Sequence, residues 1–104
     1  MMKGTEKQIA WATEILATVN AIYDDMIAMT SAEPKATEAM KAAAADRINA
    51  RRALANEADY AGDIISLFRG VKRTDDPLTG IGTLMSVYNI TVPETVGQRK
   101  ILGK

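Results

Sequence analysis

Apolar and polar positions separate most cleanly between Gly4 and Met29. At about 100° per residue, Trp11, Ala12, Ile15, Leu16, Val19, Ile22, Tyr23, Met26, Ile27 and Met29 share one arc, with Ile9 at its edge. Thr13, Glu14, Asn20, Asp24 and Asp25 fall opposite. Thr5 followed by Gln8 fits a T-x-x-Q capping box, so a helix is expected to start at Thr5 and run to about Met29, before "TSAEP". The arc spans roughly 160°, wider than the ~100° stripe that one neighbouring helix covers. Trp11, Ile15, Ile22 and Met29 mark one border; Ile9, Leu16, Tyr23 and Ile27 mark the other. Two partners are therefore expected, either a third helix of the same chain or a second protomer.

Pro34 suits the first position of a second helix, because its missing N–H has no partner there in any case. From Lys35 to about Asn56 the chain is dense in helix formers, with alanine at eleven positions between 36 and 61. Met40, Ala43, Ala50 and Leu54 form a narrow stripe for close approach to the first helix. The short connection implies an antiparallel hairpin. Ala58, Ala61, Ile65 and Phe68 continue in phase with Leu54, so one unbroken helix from Pro34 to Arg69 is one reading. A break is the better expectation, at Asn56–Asp59 or Gly62, because Ile64, Ile65, Leu67 and Phe68 can then fold back over the first helix. Gly70 is a natural stop.

Beyond the polar turn "VKRTDDP", Leu78, Ile81, Leu84, Met85 and Tyr88 suit a short helix starting near Asp76–Pro77. Leu84 to Val92 also carries a weaker strand pattern. "ETVGQRKILGK" reads as a loosely held, basic tail. The expected fold is all-α: an antiparallel hairpin of two long helices, a shorter third helix packed on it, and a partly ordered C-terminal segment. Residues 1–70 would form the helical core and 71–104 a C-terminal extension with a short helix.

Composition narrows the chemistry. The 104 residues carry no net charge, no cysteine and no histidine. Disulfides and thiol chemistry are excluded; the usual zinc ligands and the commonest acid–base group are missing. Adjacent Asp24 and Asp25 diverge by about 100° on a helix and are expected on a solvated face. "TGIG" at 79–82 lacks the lysine and Ser/Thr of a phosphate loop. Ser31, Ser66 and Ser86 have no histidine to activate them. The tyrosines read as core or boundary residues. The chain is thus expected not to be an enzyme and to need no cofactor. No run approaches the ~20 apolar residues of a membrane span, and no signal-peptide pattern stands out, so the expected location is the cytoplasm.

Arg47, Arg51 and Arg52 have no acidic residue three or four positions away, and Arg47 and Arg51 form a like-charged i,i+4 pair. Arg47 has two readings. Its stem can lie over the core with its head toward Glu14 across the hairpin, or the cluster can hold phosphate or a partner's carboxylates. Residues 1–33 carry −3 and residues 71–104 carry +2.

Gly4, Thr5, Lys7, Gln8, Ile9, Trp11, Ala12 and Ile15 match G-[ST]-x-K-Q-I-x-W-A-x-x-I. Over these first 20 or so residues the chain resembles a group of small, functionally uncharacterised bacterial and phage-encoded proteins. The resemblance implies a bacterial or mobile-element accessory protein with a helical core. In that group a short tryptophan-rich helix follows the second long one; here "DIISLFRG" stands in its place.

The wide apolar arc and six methionines, which repack readily against varied surfaces, point to a protein-interaction module of accessory, regulatory or inhibitory kind. Its partner would be another protein or a second copy in a homodimer. Trp11, Arg47, Arg51, Arg52, Arg99 and Lys100 are the candidate contact residues. Trp11 is also expected to pack on the third segment or on a neighbouring protomer. The alternative is nucleic-acid binding through Arg47, Arg51, Arg52 and the basic tail, opposed by the zero net charge and the acidic first helix.

Overall fold

The structure, a computed structural model, describes residues 2–104. Five helices follow in order: α1 Glu6–Ser31, α2 Glu38–Asn56, α3 Ala61–Phe68, α4 Pro77–Ile90 and α5 Val96–Leu102. The all-α expectation holds, and no strand is found among the described residues.

Helix α1 begins as its sequence dictates. The Thr5 hydroxyl accepts from the Gln8 N–H at 3.1 Å, and Gln8 Oε1 accepts from the Thr5 N–H at 3.0 Å. This reciprocal box satisfies two donors that a helix start would leave bare. Just before it, the Lys3 N–H donates to the Asp59 carbonyl and the Ala61 N–H to the Lys3 carbonyl, at 2.6 and 2.9 Å. Helix α3 starts at Tyr60 without a side-chain cap, so the Lys3 carbonyl is what caps it. Gly4 links the two features at φ +153°, where a Cβ would also press on Ala61.

The core draws on every helix. Ala12, Val19, Ile22 and Tyr23 of α1 meet Ala61, Ile64, Leu67 and Phe68 of α3, then Leu84 and Tyr88 of α4, and Ile101 and Leu102 of α5; α2 gives only Ala55. The wide arc of α1 is explained, since α2, α3 and α4 all pack on it. At Gly80, α4 comes close enough that an added Cβ would stand 3.3 Å from Ile22 Cγ1 and from the Lys72 carbonyl.

Several expectations need correction. Pro34 lies in the interhelical turn, and α2 starts at Glu38 behind Thr37, whose hydroxyl accepts from the Met40 N–H. The proline therefore shapes the turn and the threonine supplies the cap. The chain does break between α2 and α3, at residues 57–60. The α2 stripe is only partly the one expected: Leu54 is half-buried but Met40, Ala43 and Ala50 are exposed, while Ala44, Ala45, Ile48, Arg52 and Ala55 turn inward. Alanine on all sides gives little hydrophobic contrast, so Ile48, Leu54 and two polar pairs set the phase.

The C-terminal segment is not a loose tail. Asp76 caps α4 with Pro77 in its first turn. Thr95 caps α5 by accepting from the Gln98 N–H at 3.0 Å, and Gln98 Oε1 takes the Glu94 N–H at 2.8 Å. Gln98 Nε2 also donates to Ser66 Oγ, and Thr95 Oγ1 to Asp63 Oδ1 at 2.9 Å. Gly97 makes this docking feasible, because a Cβ there would overlap the Asp63 carboxylate. Gly103 ends α5 at φ +70°.

Candidate functional site

Helices α1 and α2 are locked in register by polar side chains. Asn20 and Asn56 exchange two amide hydrogen bonds of 3.0 and 2.9 Å. One turn further along, Arg52 Nη2 meets Asp24 Oδ1 at 2.7 Å. This register carries Arg47 toward Met29 and Thr30, well past Glu14, so the expected Arg47–Glu14 pairing does not form. Asp24 and Asp25 are not a bare solvated face either. Asp25 receives two hydrogen bonds from Arg73, at 2.9 and 3.1 Å. That fork holds the Asp25 carboxyl below its ordinary range and raises the guanidinium.

Past these pairs the hairpin loses its third layer. The last fully buried residue of α1 is Tyr23, and α2 buries only Ala55. Beyond Met26 and Ile48, which still pack on the core, neither helix buries a further residue, in a molecule 46 Å long. Between them opens a groove in two connected parts. The outer part, about 500 Å³, is lined by Met29, Ala36, Met40 and Ala43, with Glu33 at its end. The inner part, about 300 Å³, is lined by Tyr23, Met26, Ile48 and Arg51. Thr30, Ala44 and Arg47 belong to both.

The six expected contact residues do not come together. Arg47 stands exposed over the groove, with no ion pair among the described residues. Arg51 lies with its guanidinium carbon 4.9 Å from the Tyr88 ring centroid and Nη1 3.8 Å from Met85 Sδ, fastening α2 to α4. Arg52 serves Asp24 and sits 5.9 Å from the Tyr23 ring centroid; its Nε is buried without a hydrogen-bond partner. Arg99 and Lys100 occupy the last turn of α5, where positive charge complements the helix dipole. Trp11 is 48% exposed rather than packed on α3. The buried face of α1 is instead Ala12, Val19, Ile22 and Tyr23, which leaves the indole on the outer border of the arc.

Beneath the inner groove lies a buried hydroxyl pair. Tyr23 Oη donates to Tyr88 Oη at 2.7 Å. Burial raises the Tyr23 hydroxyl far above its ordinary value, and the neighbouring Tyr88 pushes it further. Burial also raises Tyr88, partly offset by the bond it accepts and by Arg51. With guanidinium groups nearby, such a pair could suggest acid–base chemistry, but both hydroxyls lie in the core and stay protonated. Among the described residues no three acidic side chains gather to hold a metal ion, and no helix is long and apolar enough to cross a membrane.

Sequence reasoning set Glu14 across the hairpin from Arg47 and missed Asp24 and Asp25 as carboxylate partners, because neither the hairpin register nor the path of the turn before α4 is written in local spacing. It also missed the groove, whose sequence trace is the alanine run 42–45, of which Ala43 and Ala44 line it beside Met29 and Thr30. The arrangement is an apolar trough with an unpaired guanidinium at its centre. Thr30 and Glu33 are the other polar side chains of its outer part. No family model matches the chain, and neither the curated proteins nor the solved structures compared with it gave a match.

Proposed function

We propose that the chain is a small helical protein-interaction module that receives a partner's apolar, carboxylate-bearing segment in the α1–α2 groove. The observation that carries this reading is the two-layer end of the hairpin, where Met29 and Met40 stay 43% and 59% exposed beside the unpaired Arg47. Methionine adapts to varied apolar shapes, and a guanidinium beside a desolvated trough favours a carboxylate with defined geometry. An accessory or inhibitory role in a bacterium or mobile element suits a module of this size. A nucleic-acid role draws less support, since Arg51 and Arg52 are engaged inside the fold and Arg99 and Lys100 sit on another helix.

A photocrosslinking residue placed at Met40 tests the reading in cells that express the protein, with Ser86 of α4 as control site. A discrete adduct from Met40, absent from Ser86 and lost on Arg47→Glu, is the expected result. Equal or no adducts from the two sites would defeat it.

A further inference from the structure

Resting on the groove reading, we infer that the occupant of the groove is a second copy of this chain, inserted through its α4–α5 junction, residues 90–96. The three most exposed large apolar side chains among the described residues stand together there: Ile90 at 76%, Val92 at 81% and Val96 at 85%. Along the chain they flank exposed Glu94, whose carboxylate has no ion pair among the described residues. A carboxylate flanked by branched apolar side chains is the chemical complement of a methionine trough centred on a free guanidinium.

The junction is held in shape. The Thr91 N–H donates to the Val87 carbonyl at 3.1 Å, and Lys104 Nζ to the Thr91 carbonyl at 2.8 Å. The Glu94 N–H is bound by Gln98 and the Thr95 hydroxyl by Asp63. Pro93 stiffens the middle. Little ordering entropy remains to be lost on docking, which is what favours a preformed plug. The same bonds tie the junction to α3, α4 and α5, so it cannot leave them to fill the groove of its own chain. A second molecule must supply it. Reciprocal insertion closes a two-fold dimer; one-way insertion grows head-to-tail chains.

Sedimentation velocity at tens of micromolar is the test, with circular dichroism verifying that each variant is folded. The wild-type chain should associate. Arg47→Glu alone and Glu94→Arg alone should each weaken association about tenfold or more, and Val92→Asp should do the same. Mixing the Arg47→Glu and Glu94→Arg proteins should recover it, because each contact then pairs opposite charges again. The Met29 and Met40 methyl resonances should shift with concentration in the wild type and not in Val92→Asp. A monomeric wild type, or association indifferent to Glu94→Arg, would overturn the inference. If the wild type is monomeric while Met40 crosslinks a different protein, self-docking fails and the groove reading survives; with no Met40 adduct and no association, both fall.

Discussion

Removing one hydroxyl from the Tyr23–Tyr88 pair should cost more than removing both. Tyr23 is wholly buried and Tyr88 is 7% exposed, so neither oxygen can turn to water when its partner is lost. Tyr88→Phe leaves the Tyr23 hydroxyl as a buried donor without an acceptor, a cost of about 1–3 kcal/mol. Tyr23→Phe likewise leaves the buried Tyr88 hydroxyl without its donor, at a cost of about 1–3 kcal/mol. The double Phe variant loses one net hydrogen bond, about 0.5–1.5 kcal/mol, and strands nothing. A cycle over the four proteins should therefore give a coupling of about 1–3 kcal/mol. In a domain of this size each kcal/mol moves Tm by roughly 4–8 °C, so thermal and urea melts followed by circular dichroism resolve it. Strictly additive costs would refute the assignment of a buried, mutually satisfied pair.

The same pair fixes a pH dependence. Both hydroxyls are raised above the ordinary tyrosine value of 10.0, so above that pH the folded chain binds more protons than the unfolded one. Stability from the pair is thus complete below pH 10 and falls as pH rises beyond it. In a Tyr60→Phe background, tyrosinate absorbance should appear together with loss of helicity; tyrosinate forming in the still helical protein would contradict the burial argument.

Three further outcomes follow from the packing. Gly97→Ala should destabilise by about 1–3 kcal/mol despite alanine's better helix propensity; adding Asp63→Ala should recover part of that loss in urea melts, since it removes the overlap. Trp11→Ala should change stability by no more than about 0.5–1 kcal/mol, not the ~3–5 expected of a core indole, with a red-shifted emission in the wild type reporting the exposed ring. Asp25 is held low by Arg73, so its stabilisation is present above the ordinary carboxylate value and is lost as pH falls below it; Arg73→Ala should flatten that acid limb in pH-dependent melts.

Helix α1 was legible because two independent signals agree there, a reciprocal cap and an apolar period near 3.6 residues. Helix α2 was legible as a helix but not in its rotation. Eleven alanines between 36 and 61 make every face nearly as apolar as the next, and Ile48 and Leu54 are its only half-buried branched aliphatic residues. The α5 cap repeats the spacing of the first, "TVGQ" at 95–98 beside "TEKQ" at 5–8. Two glycines and three cations obscured it as loose tail. What turns that stretch into a packed helix is Asp63, 32 positions away from Thr95, and no local pattern reports a partner at that distance.

The candidate site was hidden for a related reason. Three arginines on one helix look alike in sequence, yet their fates depend on what the hairpin register sets opposite them. Asn20–Asn56 and Asp24–Arg52 fasten the hairpin at its inner end, while Arg51 rests on Tyr88 of α4. One turn further out, Arg47 shares the groove with Met26, Met29, Thr30, Ala44 and Ile48, with Glu33 at its outer end, and forms no ion pair among the described residues. Its freedom follows from where the third layer stops, a length set by how α3 and α4 return along α1. The guanidinium left uncommitted by that geometry is the one on which the proposed groove contact rests.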